Sequence, residues 1–264
     1  MLHLTILILF FATSPLLVSS LECYSCRKPI VLNYTLTSDT VPSFFDYDCR
    51  LFNTTTCYIR VAWDRNTNNT LIEVDIASFS SATNMGDTPD FIATTVSMQV
   101  IHHQDHINFE HSILFFCTTM DRGNNQTTLQ RILRSLTIED RFSQEIYPLL
   151  KYISPFDAKS AECFEFQNDT LSCPNQDLNR CQRCYGTRDQ YLSYAANVCQ
   201  SCPRTQDFSN VAYHSSSFQL KSRQRTEDSI HLECQLNKCN SIDNLNRISN
   251  ASKITFDFDT FFKH

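Results

Sequence analysis

Apolar and polar positions along this chain fall into three regimes. Residues 2–17 are almost wholly apolar, broken by His3, Thr5, Thr13, Ser14 and Pro15. The apolar core of that stretch, 4–12, is shorter than the roughly 20 residues needed to span a bilayer. Val18-Ser19-Ser20 puts small residues where signal peptidase cuts, so 1–20 reads as a signal peptide and the mature chain starts at Leu21. Beyond it, β-branched and aromatic residues dominate 56–63 and 70–76 around the turn-like 64–69, which predicts a hairpin. Segments 91–101 and 107–118 flank the polar 102–106 and predict a second hairpin. The period then changes. Leu129, Ile132, Leu133 and Leu136 recur at i, i+3, i+4 and i+7, one face of a helix. Thr137 and Asp140 have capping-box spacing and predict a second helix, ended or kinked by Pro148. The Phe-rich tail carries Asp257, Asp259 and Lys263, so it is not the unbroken apolar tail of a lipid-anchor signal.

Cysteine adds a second layer to this pattern. There are 13, and Cys23 and Cys26 stand directly behind the leader. In an oxidising compartment they read as a disulfide framework with one member left over. An internal repeat explains the odd count. Ser112-Ile113 precedes Cys117 at the same distance as Ser229-Ile230 precedes Cys234. Beyond each cysteine comes Asn124 or Asn240, followed at equal offsets by Leu129, Arg131 and Ile132 or by Leu245, Arg247 and Ile248. Extended backwards, the repeat aligns Cys23, Cys26, Cys49, Cys57 and Cys117 with Cys181, Cys184, Cys199, Cys202 and Cys234. Gly123 stands where the second copy has Cys239, so Cys117 is expected to be a single thiol: buried and inert, bridged to a second chain, or a nucleophile. Only Gly86, Gly123 and Gly186 are glycines, so turns fall to Asn and Asp, which tolerate left-handed geometry.

The opening Leu21-Glu22-Cys23-Tyr24-Ser25-Cys26 and the closing Cys234-x4-Cys239-Asn240 resemble the three-finger fold of the urokinase-receptor and lymphocyte-antigen (LU) superfamily, closest to its diverged secreted nematode members. Glu233 stands where that family has a second, adjacent cysteine. The resemblance implies a mainly β, small disulfide-rich fold of two three-finger-like modules, 21–125 and 161–264, joined by a helical connector at 126–160. It implies the pairs Cys23–Cys57, Cys26–Cys49, Cys181–Cys202, Cys184–Cys199 and Cys234–Cys239, with Cys163–Cys173 as an extra local staple. It also implies a molecule that acts by binding rather than catalysis. The finger tips at 64–69 and 102–106 would offer side chains to an extracellular or cell-surface protein, and Cys117 could link two copies.

Charge and motifs narrow the remaining classes. The formal net charge is −6. With its basic residues clustered only at Lys221, Arg223 and Arg225, the chain lacks the footprint of a nucleic-acid or anionic-membrane binder. Sequons begin at Asn33, Asn53, Asn68, Asn125, Asn168 and Asn250, which fits an N-glycosylated, secreted product. The spacing Cys181-x2-Cys184-x14-Cys199-x2-Cys202 would suit a four-thiolate zinc site, but a secretory compartment favours disulfides. His102, His103, Asp105, His106 and His111 offer metal-type donors in what reads as a solvated loop. Isolated glycines exclude phosphate-binding loops and nucleophile elbows, and no His-Glu-x-x-His occurs. No enzyme activity, metal or cofactor is expected. The alternative function is a secreted protease inhibitor or toxin-like effector, which would need a rigid exposed loop.

Overall fold

The computed structural model describes residues 20–76, 90–101, 106–151, 161–168, 173, 181–192, 194–203 and 209–263. Residues 1–19, where a signal peptide is expected, and 102–105, expected as a finger tip, lie outside those residues. In the first half run β1 (Leu21–Cys26), β2 (Ile30–Leu32), β3 (Cys49–Thr54), β4 (Cys57–Asp64), β5 (Asn69–Ile76), β6 (Phe91–Ile101) and β7 (His106–Cys117). Then come α1 (Gln126–Ser135), β8 (Leu136–Asp140) and the short α2 (Phe142–Glu145). The second half holds β9 (Phe166–Gln167), β10 (Cys184–Tyr191), β11 (Asn197–Ser201), β12 (Asn210–Gln219), β13 (Gln224–Cys234), α3 (Ile242–Ala251), β14 (Ser252–Phe256) and the short α4 (Phe258–Phe262). The fold is mainly β and rich in disulfides.

Ten strands form one sheet in the order β2-β5-β4-β7-β6-β12-β13-β10-β11-β9. The order is palindromic, each strand of one half matching one of the other. The central pair β6·β12 is antiparallel, and Thr95 lies opposite Ser215. Matching Phe116 with Glu233 through the two hairpins makes Thr95 and Ser215 themselves equivalent, so a pseudo-two-fold axis passes between them. A separate two-stranded sheet, β8·β14, sits on the same axis, with Ile138 opposite its equivalent Ile254. Two hydrogen bonds beside it are images of each other: Arg141 N–H donates to Ala251 C=O at 2.7 Å, and Asp257 N–H to Ser135 C=O at 2.8 Å.

Strict alternation gives the sheet its core face. Along β12 every second residue is buried, and β4, β5 and β6 alternate similarly. Ile59, Val61, Ile72, Val96, Met98, Ile113, Phe115, Ile230 and Leu232 point to one side and are almost fully buried. Leu129 and Ile132 of α1 and Leu245 and Ile248 of α3 close over them. Each such side chain stabilises the fold by roughly 1.5–3 kcal/mol. Both helices start on a side-chain cap, Asn125 accepting from Thr128 N–H and Ser241 from Asn244 N–H.

The structure departs from the sequence reading after α1. Residues 137–140 form strand β8, not a second helix. Thr137 and Ile138 are β-branched and find a partner strand in β14, a contact that local spacing cannot reveal. Asp140 does cap a helix, but two residues on: its carboxylate accepts from Phe142 N–H at 2.8 Å at the start of α2. Since α1 and β8 recur as α3 and β14, they are part of the repeated unit rather than a connector between units.

Candidate binding site

The cysteines form the base of each half. The structure pairs Cys23 with Cys57, Cys26 with Cys49, Cys181 with Cys202 and Cys234 with Cys239. Two expected pairs are corrected: Cys184 joins Cys163 rather than Cys199, and Cys173 joins Cys199 rather than Cys163. Topology explains the first, and the second joins the two cysteines this leaves over. Cys57 lies opposite Cys117 in β7, and Cys184 lies opposite Cys234 in β13, so Cys57 and Cys184 are equivalent. Glu22-Cys23-Tyr24 then corresponds to Glu162-Cys163-Phe164, and the bonds Cys23–Cys57 and Cys163–Cys184 are images of each other. The sulfurs of Cys163, Cys181 and Cys184 lie together, and all three are committed to disulfides.

Cys117 is a free, fully buried thiol. Burial, assisted by the nearby Asp90 charge, pushes its pKa up to about 12. It stays protonated at neutral pH, and its sulfur is out of reach of a second chain. A Cβ added at Gly123 would lie 2.5 Å from that sulfur.

Asn124 and Asn240 close the two bases in the same way. Asn124 accepts from Tyr24 N–H at 2.8 Å and donates back to Tyr24 C=O at 2.7 Å. Asn240 accepts from Phe164 N–H and donates to Phe164 C=O, both at 2.9 Å. Both are fully buried. The sequence marked them as repeat positions but gave no sign of their role.

Of the sequon asparagines, Asn33, Asn53, Asn68, Asn168 and Asn250 are exposed and Asn125 is half-buried at its helix cap. Asn168 uses its amide within the fold, donating to Ala196 C=O at 3.0 Å. The 64–69 tip is well tied down. Asp64 accepts from Asn66 N–H at 2.9 Å and from the Thr67 hydroxyl at 2.7 Å, while the Asn66 amide donates to Ile107 C=O. Arg65 N–H donates to Phe109 C=O at 2.8 Å, so the tip is anchored to β7. Of the histidine cluster, residues 102–105 fall outside the described residues, whereas His111 is buried in β7.

A cleft of about 300 Å³ opens beneath this tip, between residues 35–38, the end of β4, the middle of β7, α1 and β8. Its apolar wall is Leu36, Trp63, Leu133, Leu136 and Ile138, and its polar contributors are Thr35, Thr37, Ser38, Arg65 and His111. His111 Nε2 lies 3.0 Å from an Asp140 carboxylate oxygen, which fixes the ring. Trp63 is 7% exposed, yet its indole N–H has no hydrogen-bond partner. Sequence reasoning missed this site because its walls come from four separate segments.

A second polar cluster lies beside the axis. His214 Nδ1 is 2.8 Å from Ser252 Oγ, and its Nε2 is 2.9 Å from Asp228. Asp228 also accepts from Ser216 at 2.7 Å and from Arg225 at 3.1 Å. Burial favours its neutral form, but these donors outweigh burial and hold the Asp228 carboxyl below its usual range. The order Ser-His-Asp resembles a nucleophile relay, but Ser252 is fully buried and its hydroxyl donates to Ile248 C=O at 3.1 Å. The cluster therefore pins β14 to β12 and β13.

Comparison with protein-family models, curated proteins and solved structures finds no match to this chain. Among the described residues, no helix is long and apolar enough to cross a membrane.

Proposed function

We propose that this chain is a secreted, N-glycosylated binding protein of two three-finger-like modules of the LU kind, and that it engages an extracellular partner protein through its hairpin ends. The observation that carries this reading is the duplicated base. In the first half, the pairs β1·β3, β4·β5 and β6·β7 spring from a base stapled by Cys23–Cys57 and Cys26–Cys49 and closed by Asn124. The second half repeats the β10·β11 and β12·β13 pairs and the Asn240 closure. Such a base, set on the sheet's buried core, holds loops rigidly, which suits presentation of side chains to a partner. Exposed Asn33, Asn53, Asn68 and Asn250 suit glycan attachment.

The test is saturable binding of the oxidised, glycosylated protein to intact cell surfaces, competed by unlabelled protein. Substitutions Asn66→Ala and Thr67→Ala at the tip are expected to weaken it. Binding that never saturates, or that survives full reduction of the disulfides, would count against the reading. The anchored 64–69 tip also favours a second reading as a protease inhibitor. Inhibition of extracellular proteases by the intact protein separates the two.

A further inference from the structure

We propose that the cleft beneath the 64–69 tip is a binding site for a small monocarboxylic acid with an apolar body. This goes beyond the protein-binding reading and does not depend on it. Charged groups around the cleft are out of balance. The neighbouring carboxylates are all engaged. Asp140 accepts from Phe142 N–H with one oxygen and meets His111 with the other. Both oxygens of Asp64 are used within its turn. Asp39 lies 3.6 Å from Arg134 in an ion pair.

The donors are not so engaged. Arg65 lines the cleft, and its guanidinium has no ion-pair partner among the described residues. Trp63 stands two residues earlier and also lines the cleft, with its indole nitrogen sealed away from solvent. A cationic fork with no protein carboxylate paired to it selects a carboxylate over a neutral or cationic head.

The rest of the cleft defines the body of the ligand. Leu133, Leu136 and Ile138 are apolar yet only partly buried, and they turn their exposed surface to the cleft. At about 30 Å³ per water-sized group, 300 Å³ holds roughly ten such groups. That volume lies at the small end of ligand sites, which suits a medium-chain or compact aryl acid rather than a long-chain lipid.

The protein carries its own probe, because Trp63 is its only tryptophan. Decanoate, kept below micelle-forming concentrations, is titrated into the full oxidised chain while Trp63 emission is recorded. A saturable change is expected. 1-Decanol and decylamine, with the same chain and no carboxylate, should bind at least about tenfold more weakly, as expected for loss of a charge-assisted hydrogen bond. Arg65→Ala should weaken decanoate by a similar factor at an unchanged thermal midpoint, since Arg65 is exposed. The head-group comparison on the unaltered protein carries the test even if the variant folds poorly. No saturable response to decanoate, or equal binding of the three probes, overturns the proposal.

Discussion

Gly123 occupies the position of a cysteine in the other half, and its missing side chain is what leaves room for the Cys117 sulfur. Gly123→Cys is therefore expected to form a bond between Cys117 and the introduced thiol, matching Cys234–Cys239. Closing so short a loop contributes about 2 kcal/mol, but the new Cβ would lie 2.9 Å from Met120 C=O, so little net gain in stability is expected. Mass mapping under non-reducing conditions should then find no free thiol. Gly123→Ala carries the same strain without the bond, because its Cβ would lie 2.5 Å from Cys117 Sγ and 2.9 Å from Met120 C=O. Overpacking of that kind costs about 1–3 kcal/mol, read as a fall in denaturant midpoint. Asn124→Ala and Asn240→Ala should each cost about 3 kcal/mol, since each strands buried backbone groups of Tyr24 or Phe164. At this scale the sequence was legible where chemistry repeats at a fixed offset, as with Cys117 and Cys234 or Asn124 and Asn240. It misled at Cys163, because the Cys-x2-Cys spacing of Cys181/Cys184 imitates that of Cys23/Cys26. The quieter match of Glu22-Cys23-Tyr24 with Glu162-Cys163-Phe164 follows the topology.

Among the elements, the hairpins were readable because each buries one face, so alternation shows in the sequence. Helix α1 was readable from its stripe. Strand β8 was not, since five residues pairing across the molecular axis carry no local period of their own. The cluster that holds β14 in place makes a pH-dependent element. Asp228 has a depressed folded pKa, so its contribution is fully present above its unfolded value, about pH 4, and is lost as pH falls through the folded value. Asp228→Asn is expected to lower stability at pH 7 by about 2 kcal/mol, as for a hydrogen bond to a charged group. The gap from the unaltered protein should narrow as the pH drops below about 4. Thermal unfolding across that range checks both the size and the sign.

For the whole molecule, the decisive interaction is β6·β12, which fuses two five-stranded halves into one sheet. Cut apart, the first half would leave β6 as an unpaired edge of 11 residues, long and partly apolar. The equivalence of Thr95 and Ser215 specifies how that edge would be satisfied, with Thr95 of one copy opposite Thr95 of another. A fragment ending at residue 151 is thus expected to run as a dimer by light scattering, and Thr95→Pro should make it monomeric or insoluble. The internal symmetry was visible in the sequence only as a repeat. That the two copies share a sheet was not, because pairing between distant strands is decided by which edges are left open.

The antiparallel join also fixes where the hairpin ends point. Gln219, at the tip end of β12, lies beside Phe91 at the base of β6, so the two halves face opposite ways. Strands of 11 residues at about 3.4 Å each separate the two ends by roughly 35 Å. A single flat surface cannot touch both. Because the sheet runs unbroken between them, the molecule has the geometry of a stiff two-ended strut: whatever one end holds is kept at a set distance and reversed orientation from whatever the other end holds.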